Sequence, residues 1–362
     1  MTDKSRIRAE AARLVAAFEA AGATPVDLPI LQPADTLLDL YGEDIRARAF
    51  TTHDPLRGEQ MLRPDFTVPV VQMHMAAGAD PARYCYAGEV FRRQEEDETR
   101  SPEYMQAGFE IFDRGDHARA DAEVFALFAD LLASLDLRVA TGDIGILMAA
   151  VRGLHSSERR RAALLRHIWR PGRFRALLDR FGGQGGGDAA RQALLAAADP
   201  LKDAGPEIGL RSREEVLERV AALRDEAGEP PVPAAQVALV DEILDLRTAA
   251  PDALRRLRDI ARDLPSISGA VDGLAARLSA LEDAGVDVAA LPFEASYGRT
   301  TMEYYDGFVF GFYAEGRRDL PPVATGGRYD ALTRVLGRGR VGPAVGGVIR
   351  PALTLRLAEG AA

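Results

Sequence analysis

Strand-like segments occupy both ends of this 362-residue chain, and a long stretch with no strand signal separates them. In residues 1–150 the runs "TPVDLPI", "EQMLRPD", "ARYCYAGEVFRRQ", "EYMQAGFEIFD" and "LRVATGDI" alternate with amphipathic helices. One helix follows "RPDFT", with Pro69 near its start and Val68, Val71 and Met75 at helical spacing; another is "ARADAEVFALFADLLASLD". From residue 291 strands return, and "YDGFVFGFY" puts Phe308, Phe310 and Phe312 on one face and Tyr305, Gly307, Val309, Gly311 and Tyr313 on the other. The stretch between is rich in Ala, Leu, Arg and Glu and is broken by "GGQGGGD", "GEPPVPA" and "DLPSISG". Strands that must pair across a helical middle predict an α+β fold. The expected division is a core from residues 1–151 and 291–362, with a helical insertion at 152–290.

Composition narrows the function. Apolar residues make up 47% of the chain, enough for a substantial core, and the formal charge is −10. That balance disfavours general nucleic-acid binding, which depends on Lys and Arg neutralising phosphates. Eight arginines between Arg159 and Arg180 are an exception to the balance. They read as a solvated helical face, with docking to an acidic protein surface or RNA contact as alternatives. A single cysteine, Cys85, excludes an intrachain disulfide and fits a reducing, cytoplasmic setting. The five histidines are scattered singly, so no metal site is expected. No run of about 18 apolar residues predicts a membrane span. The N-terminus reads as an amphipathic helix rather than a signal peptide, with Ile7, Leu14, Val15 and Phe18 at helical intervals, Ser5 as cap and Gly22 as stop.

The chemistry concentrates in polar residues that do not suit a plain core. In "EYMQAGFEIF" one face carries Met105, Ala107, Phe109 and Ile111, while the other carries Gln106, Gly108 and Glu110. Asp65 and Thr67 lie in "LRPDFT", Arg92 ends a strand whose Tyr84, Tyr86 and Gly88 share its face, and Tyr305 lies beside Gly307. Gly326 and Gly327 in "TGGRYD" let a backbone approach a ligand closely. Singly, each polar residue reads more readily as a satisfied network group. Together, acids and amides in period with glycine gaps predict a small cavity that accepts protons from an amine-bearing or cationic ligand.

The order "LRPDFT", "FRRQ…RSPEYMQAGFE", "TTMEYYDGFVF", "GGRYD", "GPAVGGVI" resembles the catalytic core of histidyl-tRNA synthetase, a class II synthetase. The resemblance covers nearly the whole chain outside the helical middle. It implies a class II antiparallel sheet flanked by helices, and the early "GATPVDLPILQPADTL" resembles the first motif, which builds the family's dimer interface. The family's "RPEGT" acid and threonine fall on Asp65 and Thr67, its Gln and Glu on Gln106 and Glu110, and the paired tyrosines of "LDYY" on Tyr304 and Tyr305. The resemblance implies that Asp65, Thr67 and Gln106 hold the α-amino group of histidine and that Glu110 and Tyr305 read its imidazole, with Arg92 nearby. Gly108 would make room for the ring, and Gly307, Gly326 and Gly327 would complete the wall.

The departures from the synthetase pattern are as informative. Where the family has Arg-Gly-Leu-Asp-Tyr-Tyr, this chain has "TTMEYY", so Thr300 replaces an arginine and Arg299 stands one position off. Aligning "PAVG" puts Leu353 at the third-motif arginine, with Arg350 out of register, and Gln94 replaces the acid after "FR". Losing one preorganised charge costs about 3 kcal/mol of transition-state stabilisation. The chain also ends about ten residues past the third motif, so no anticodon-binding domain is expected. This pattern resembles a paralog group, the regulatory subunits of ATP phosphoribosyltransferase. That resemblance implies no catalytic residues and no cofactor in this chain, a short catalytic partner in a hetero-octamer, free histidine as ligand, and a role in the first step of histidine biosynthesis. A truncated histidyl-tRNA synthetase-like amino-acid-activating enzyme and an RNA-binding pseudo-synthetase are the alternatives. The purified chain should therefore show no histidine-dependent ATP–pyrophosphate exchange, and robust exchange would restore the enzyme reading.

Overall fold

The phenylalanines that alternate along the C-terminal strand need an apolar layer to cover them, and a helix supplies it. In the computed structural model, which describes residues 4–35, 49–93, 101–184, 189–202, 204–206, 208–299 and 304–360, strand β10 (Phe308–Ala314) lies under the helix His117–Leu132. Phe125 meets Phe310 edge-on at 5.5 Å and stacks on Phe312 at 5.6 Å, while Phe128 meets Phe310 at 5.7 Å. Asp116 caps that helix by accepting from the Arg119 amide at 3.0 Å.

The N-terminal helix, Lys4–Ala20, extends the same layer. Its Phe18 stacks on Phe109 and Phe128 at 5.6 and 5.9 Å. Ser5 lies inside this helix rather than at its cap, whereas Gly22 ends it as expected, with φ +89°.

Nine strands among the described residues form the main sheet. Its members are β1 (Thr24–Pro25), β5 (Ala82–Phe91), β6 (Glu103–Phe112), β7 (Leu137–Asp143), β8 (Arg247–Ala249), β9 (Pro292–Glu294), β10, β11 (Ala324–Arg328) and β12 (Ala344–Ile349). The order is β1-β5-β6-β12-β11-β10-β7-β9-β8. Pairing is antiparallel except at β1/β5 and β7/β9. Strands β2 (Leu31–Pro33), β3 (Thr51–Asp54) and β4 (Gly58–Leu62) make a separate three-stranded sheet. N- and C-terminal strands thus meet at the centre, where β6 pairs with β12. Cys85 is fully buried on β5, and burial pushes its thiol up to about 11, so it behaves as a small apolar residue. No helix among the described residues is long and apolar enough to cross a membrane.

Between β7 and β9 the described chain is helical except for β8. Most of the arginine-rich segment is spent inside this region. Arg159 donates to the Ala222 carbonyl, Arg160 to those of Pro230 and Glu226, and Arg161, Arg175 and Arg180 pair with Glu158, Asp241 and Glu226. Except for Arg161–Glu158, which lies within one helix, these bonds tie helices to one another instead of leaving the segment as a bare solvated face.

The second half of the region returns to the sheet. Strand β8 pairs with β9, and the helix Ser268–Asp283 sends Arg277 into a buried ion network. Arg277 donates to Asp121 at 2.8 Å and to Asp143 at 2.9 Å, while Arg328 of β11 donates to Asp121 at 2.7 Å. The Arg277 guanidinium also lies 4.6 Å from the Phe308 ring centre. Removing the shared acid leaves two buried cations underpaired. Asp121→Ala should cost about 3–5 kcal/mol in urea unfolding, and a loss under about 1 kcal/mol would show that the network does not hold this helix to the sheet.

Candidate functional site

The face of the sheet opposite the phenylalanine layer carries the polar residues. Gln106, Gly108 and Glu110 of β6 stand level with Gly88, Tyr86 and Tyr84 of β5, and Gly108 and Glu110 with Val348 and Gly346 of β12. A cavity of about 140 Å³ opens above these strands, roughly ten times the space one ordered water needs. It is lined by Asp65, Thr67, Arg92, Gln106, Tyr304 and Tyr305 from the expected set. Pro322, Thr325, Tyr329, Gly346, Gly347, Val348 and Arg350 complete the lining.

Asp65 and Thr67 reach the cavity because the helix Thr67–Ala77 starts there, with the Val68 amide 3.4 Å from Asp65 Oδ1. Arg92 stands at the end of β5, donates to the Pro64 carbonyl at 2.7 Å and lies 4.0 Å from Asp65. Gln106 is 1% exposed, and its side-chain oxygen has no hydrogen-bond partner among the described residues. An orphaned buried acceptor costs about 1–3 kcal/mol, so a donor is expected to fill this position.

Glu110 sits behind the cavity rather than on its wall. Tyr86 donates to Oε1 at 2.8 Å, Tyr329 to Oε2 at 2.6 Å, and Thr67 to Oε1 at 3.4 Å. Tyr304 donates in turn to Thr67 at 3.4 Å. Burial pushes Glu110 up to about 7, against the bonds from Tyr329 and Tyr86, with nearby Asp65 adding to the rise. Burial also raises the Tyr305 phenol.

The expected glycine wall is differently built. A side chain at Gly108 would strike the Tyr86 ring at 2.2 Å, so its gap holds Tyr86, itself stacked on Phe66 at 4.2 Å, and not a ligand's ring. Gly326 faces the helical layer, where its gap holds Phe310. Gly327 packs under Tyr305, and Gly307 against Arg328. The glycines that do line the cavity are Gly346 and Gly347.

Arg350 also departs from the sequence reading, which set it aside as out of register. It follows β12 directly and faces the cavity, while Leu353 packs against the core. The signal was present: Gly346, Val348 and Arg350 alternate onto the face that β6 shares. Arg299 is turned away, donating to the Ile168 carbonyl at 2.7 Å and lying over Phe174. Thr300, Gln94 and the end of the first motif from residue 36 lie outside the described residues, as do residues 185–188 of "GGQGGGD".

Protonation of Glu110 links the site to stability. Its pKa rises from the ordinary 4.5 to about 7 on folding, so the folded chain holds this proton more tightly between those values. The stabilisation is complete below about pH 4.5 and is lost as pH rises through 7, with an upper size of about 3 kcal/mol. Asp306, pushed up to about 7 by burial and Asp330, titrates in the same window, so wild type and variant must be compared. Glu110→Gln imitates the protonated acid and should flatten the fall in urea-unfolding free energy between pH 5 and 8. An equally steep fall in the variant would mean that Glu110 is not protonated in the folded chain.

The histidyl-tRNA synthetase family model matches residues 2–227 and 213–352. The ATP phosphoribosyltransferase regulatory subunit of Allorhizobium ampelinum is 34% identical over 359 residues, covering 91% of this chain and 92% of its own length. That of Brucella canis is 32% identical over 353 residues, covering 89% of each. A solved ATP phosphoribosyltransferase regulatory subunit/histidyl-tRNA synthetase from Bacillus halodurans shares the fold at TM-score 0.69 and 21% identity, over 99% of this chain and 81% of that one. With the class II architecture and identity at this level along nine-tenths of its length, the chain belongs to the family of ATP phosphoribosyltransferase regulatory subunits.

Proposed function

We propose that this chain senses free histidine on behalf of a short-form ATP phosphoribosyltransferase catalytic subunit and passes the signal to it as feedback inhibition. The observation that carries this reading is the unpartnered, buried oxygen of Gln106 beside Asp65 and Thr67. An α-ammonium group supplies three donors and a positive charge, which suits an amide oxygen, a hydroxyl and a carboxylate. The imidazole lies toward Tyr305 and Tyr329. Because Tyr329 spends its proton on Glu110, its oxygen keeps lone pairs for a ring N–H, so Glu110 acts through the tyrosine.

In this reading the partner performs the transferase chemistry in the cytoplasm, and the two chains assemble as a hetero-octamer. Copies of this chain pair through the first motif, and residues 152–290 form a module inserted in the synthetase-like core. Histidine favours one arrangement of the assembly over another, with a coupling of about 1–3 kcal/mol.

The test is transferase activity of the co-purified complex against histidine concentration. Gln106→Leu keeps the volume and removes the acceptor. It should raise the half-inhibiting concentration about 10- to 100-fold, the equivalent of a hydrogen bond to a charged group. An unmoved midpoint would put the inhibitory histidine elsewhere, for instance between subunits.

A further inference from the structure

Two arginines line the cavity, and they are not equally compensated. Arg92 lies 4.0 Å from Asp65. Arg350 donates one Nη1 bond to the Pro322 carbonyl at 2.5 Å, bonds Tyr104 and lies 6.0 Å from that ring's centre. Among the described residues no carboxylate pairs with it. Burial and the like charge of Arg92 both lower its pKa. A guanidinium has five donors in a planar fork, and one held in a partly desolvated wall without an acid calls for an anion.

Placement defines which anion. Ile349 pairs with Ala107, so Arg350 continues the register to the level of Gln106 on the adjacent strand. Gln106 and Arg350 line the same cavity, so an acceptor for an ammonium group and a donor fork for an anion face one small ligand. Arg299 cannot supply this charge, because its guanidinium is engaged at Ile168 and Phe174.

We propose that Arg350, with Arg92, forms a carboxylate subsite, so that the cavity takes a free α-amino acid and rejects the matching amine and amino alcohol. The inference rests on the reading of the cavity as an amino-acid site, and it adds the residue that sets its selectivity. Without a carboxylate the ligand leaves two like charges facing each other.

The experiment is calorimetric titration of the full-length chain with histidine, histidinol and histamine, for wild type, Arg350→Met and Arg350→Lys, each checked for folding by thermal melting. Wild type should prefer histidine to the other two by at least about tenfold. Arg350→Met should lose about 10- to 100-fold in histidine affinity while its affinity for histamine changes little, so the preference collapses. Arg350→Lys retains charge without the fork and should fall between; it decides the matter if the methionine variant does not fold. Histidine binding with unchanged preference in either folded variant would overturn the carboxylate subsite and leave the histidine reading standing. If wild type binds another amino acid in place of histidine and the variants lose it, only the histidine reading falls. If wild type binds no amino acid, both fall.

Discussion

Glu110 Oε2 occupies space that exists only because Gly346 has no side chain: a Cβ there would lie 1.5 Å from it. The rest of the site follows from that accommodation. With its carboxylate pressed against the backbone of β12, Glu110 can hold Tyr329 on one oxygen and Tyr86 on the other. Tyr86 can lie flat over β6 only because Gly108, level with it, also lacks a side chain. Tyr329 and Thr67, both bonded to Glu110, then form part of the cavity wall. One buried acid therefore organises the cavity wall without itself lining it.

The two faces of the sheet treat charge in opposite ways. On the helical side, Asp121, Asp143, Arg277 and Arg328 close a network in which each ion meets an opposite one within hydrogen-bond distance. Such a cluster recovers its desolvation cost only when complete, so it serves to fix the packing of a distant helix on the sheet. On the cavity side the matching is incomplete. The Gln106 oxygen lacks a donor, and Arg350 lacks an acid among the described residues. Incomplete pairing costs folding free energy, and that cost is recovered when a ligand of complementary shape and charge binds. In the proposed reading this incomplete pairing is what the ligand satisfies, in a chain whose relatives are named as ATP phosphoribosyltransferase regulatory subunits.

The period-two segments, the helical middle and the motif order were legible because each depends on neighbours in sequence. The face of β6 that carries Gln106, Gly108 and Glu110 follows from alternation alone, and so does the phenylalanine face of β10. The sequence of side chains also determined the cavity's chemical character, through Asp65, Thr67, Gln106 and Arg92. What fills each glycine gap was not legible. Tyr86 rather than a ligand fills the space at Gly108, Phe310 fills that at Gly326, and Glu110 fills that at Gly346, because strand register across β5, β6, β12 and β11 decides which side chain faces which gap. Arg350 shows the same limit: alignment against a family motif placed it out of register, whereas the folded chain puts it on the cavity wall together with Gln106. Local periodicity thus determined which residues share a face. Only the tertiary structure decided which faces meet, because hydrogen-bonded register is a relation between strands far apart in the chain and no single segment contains it.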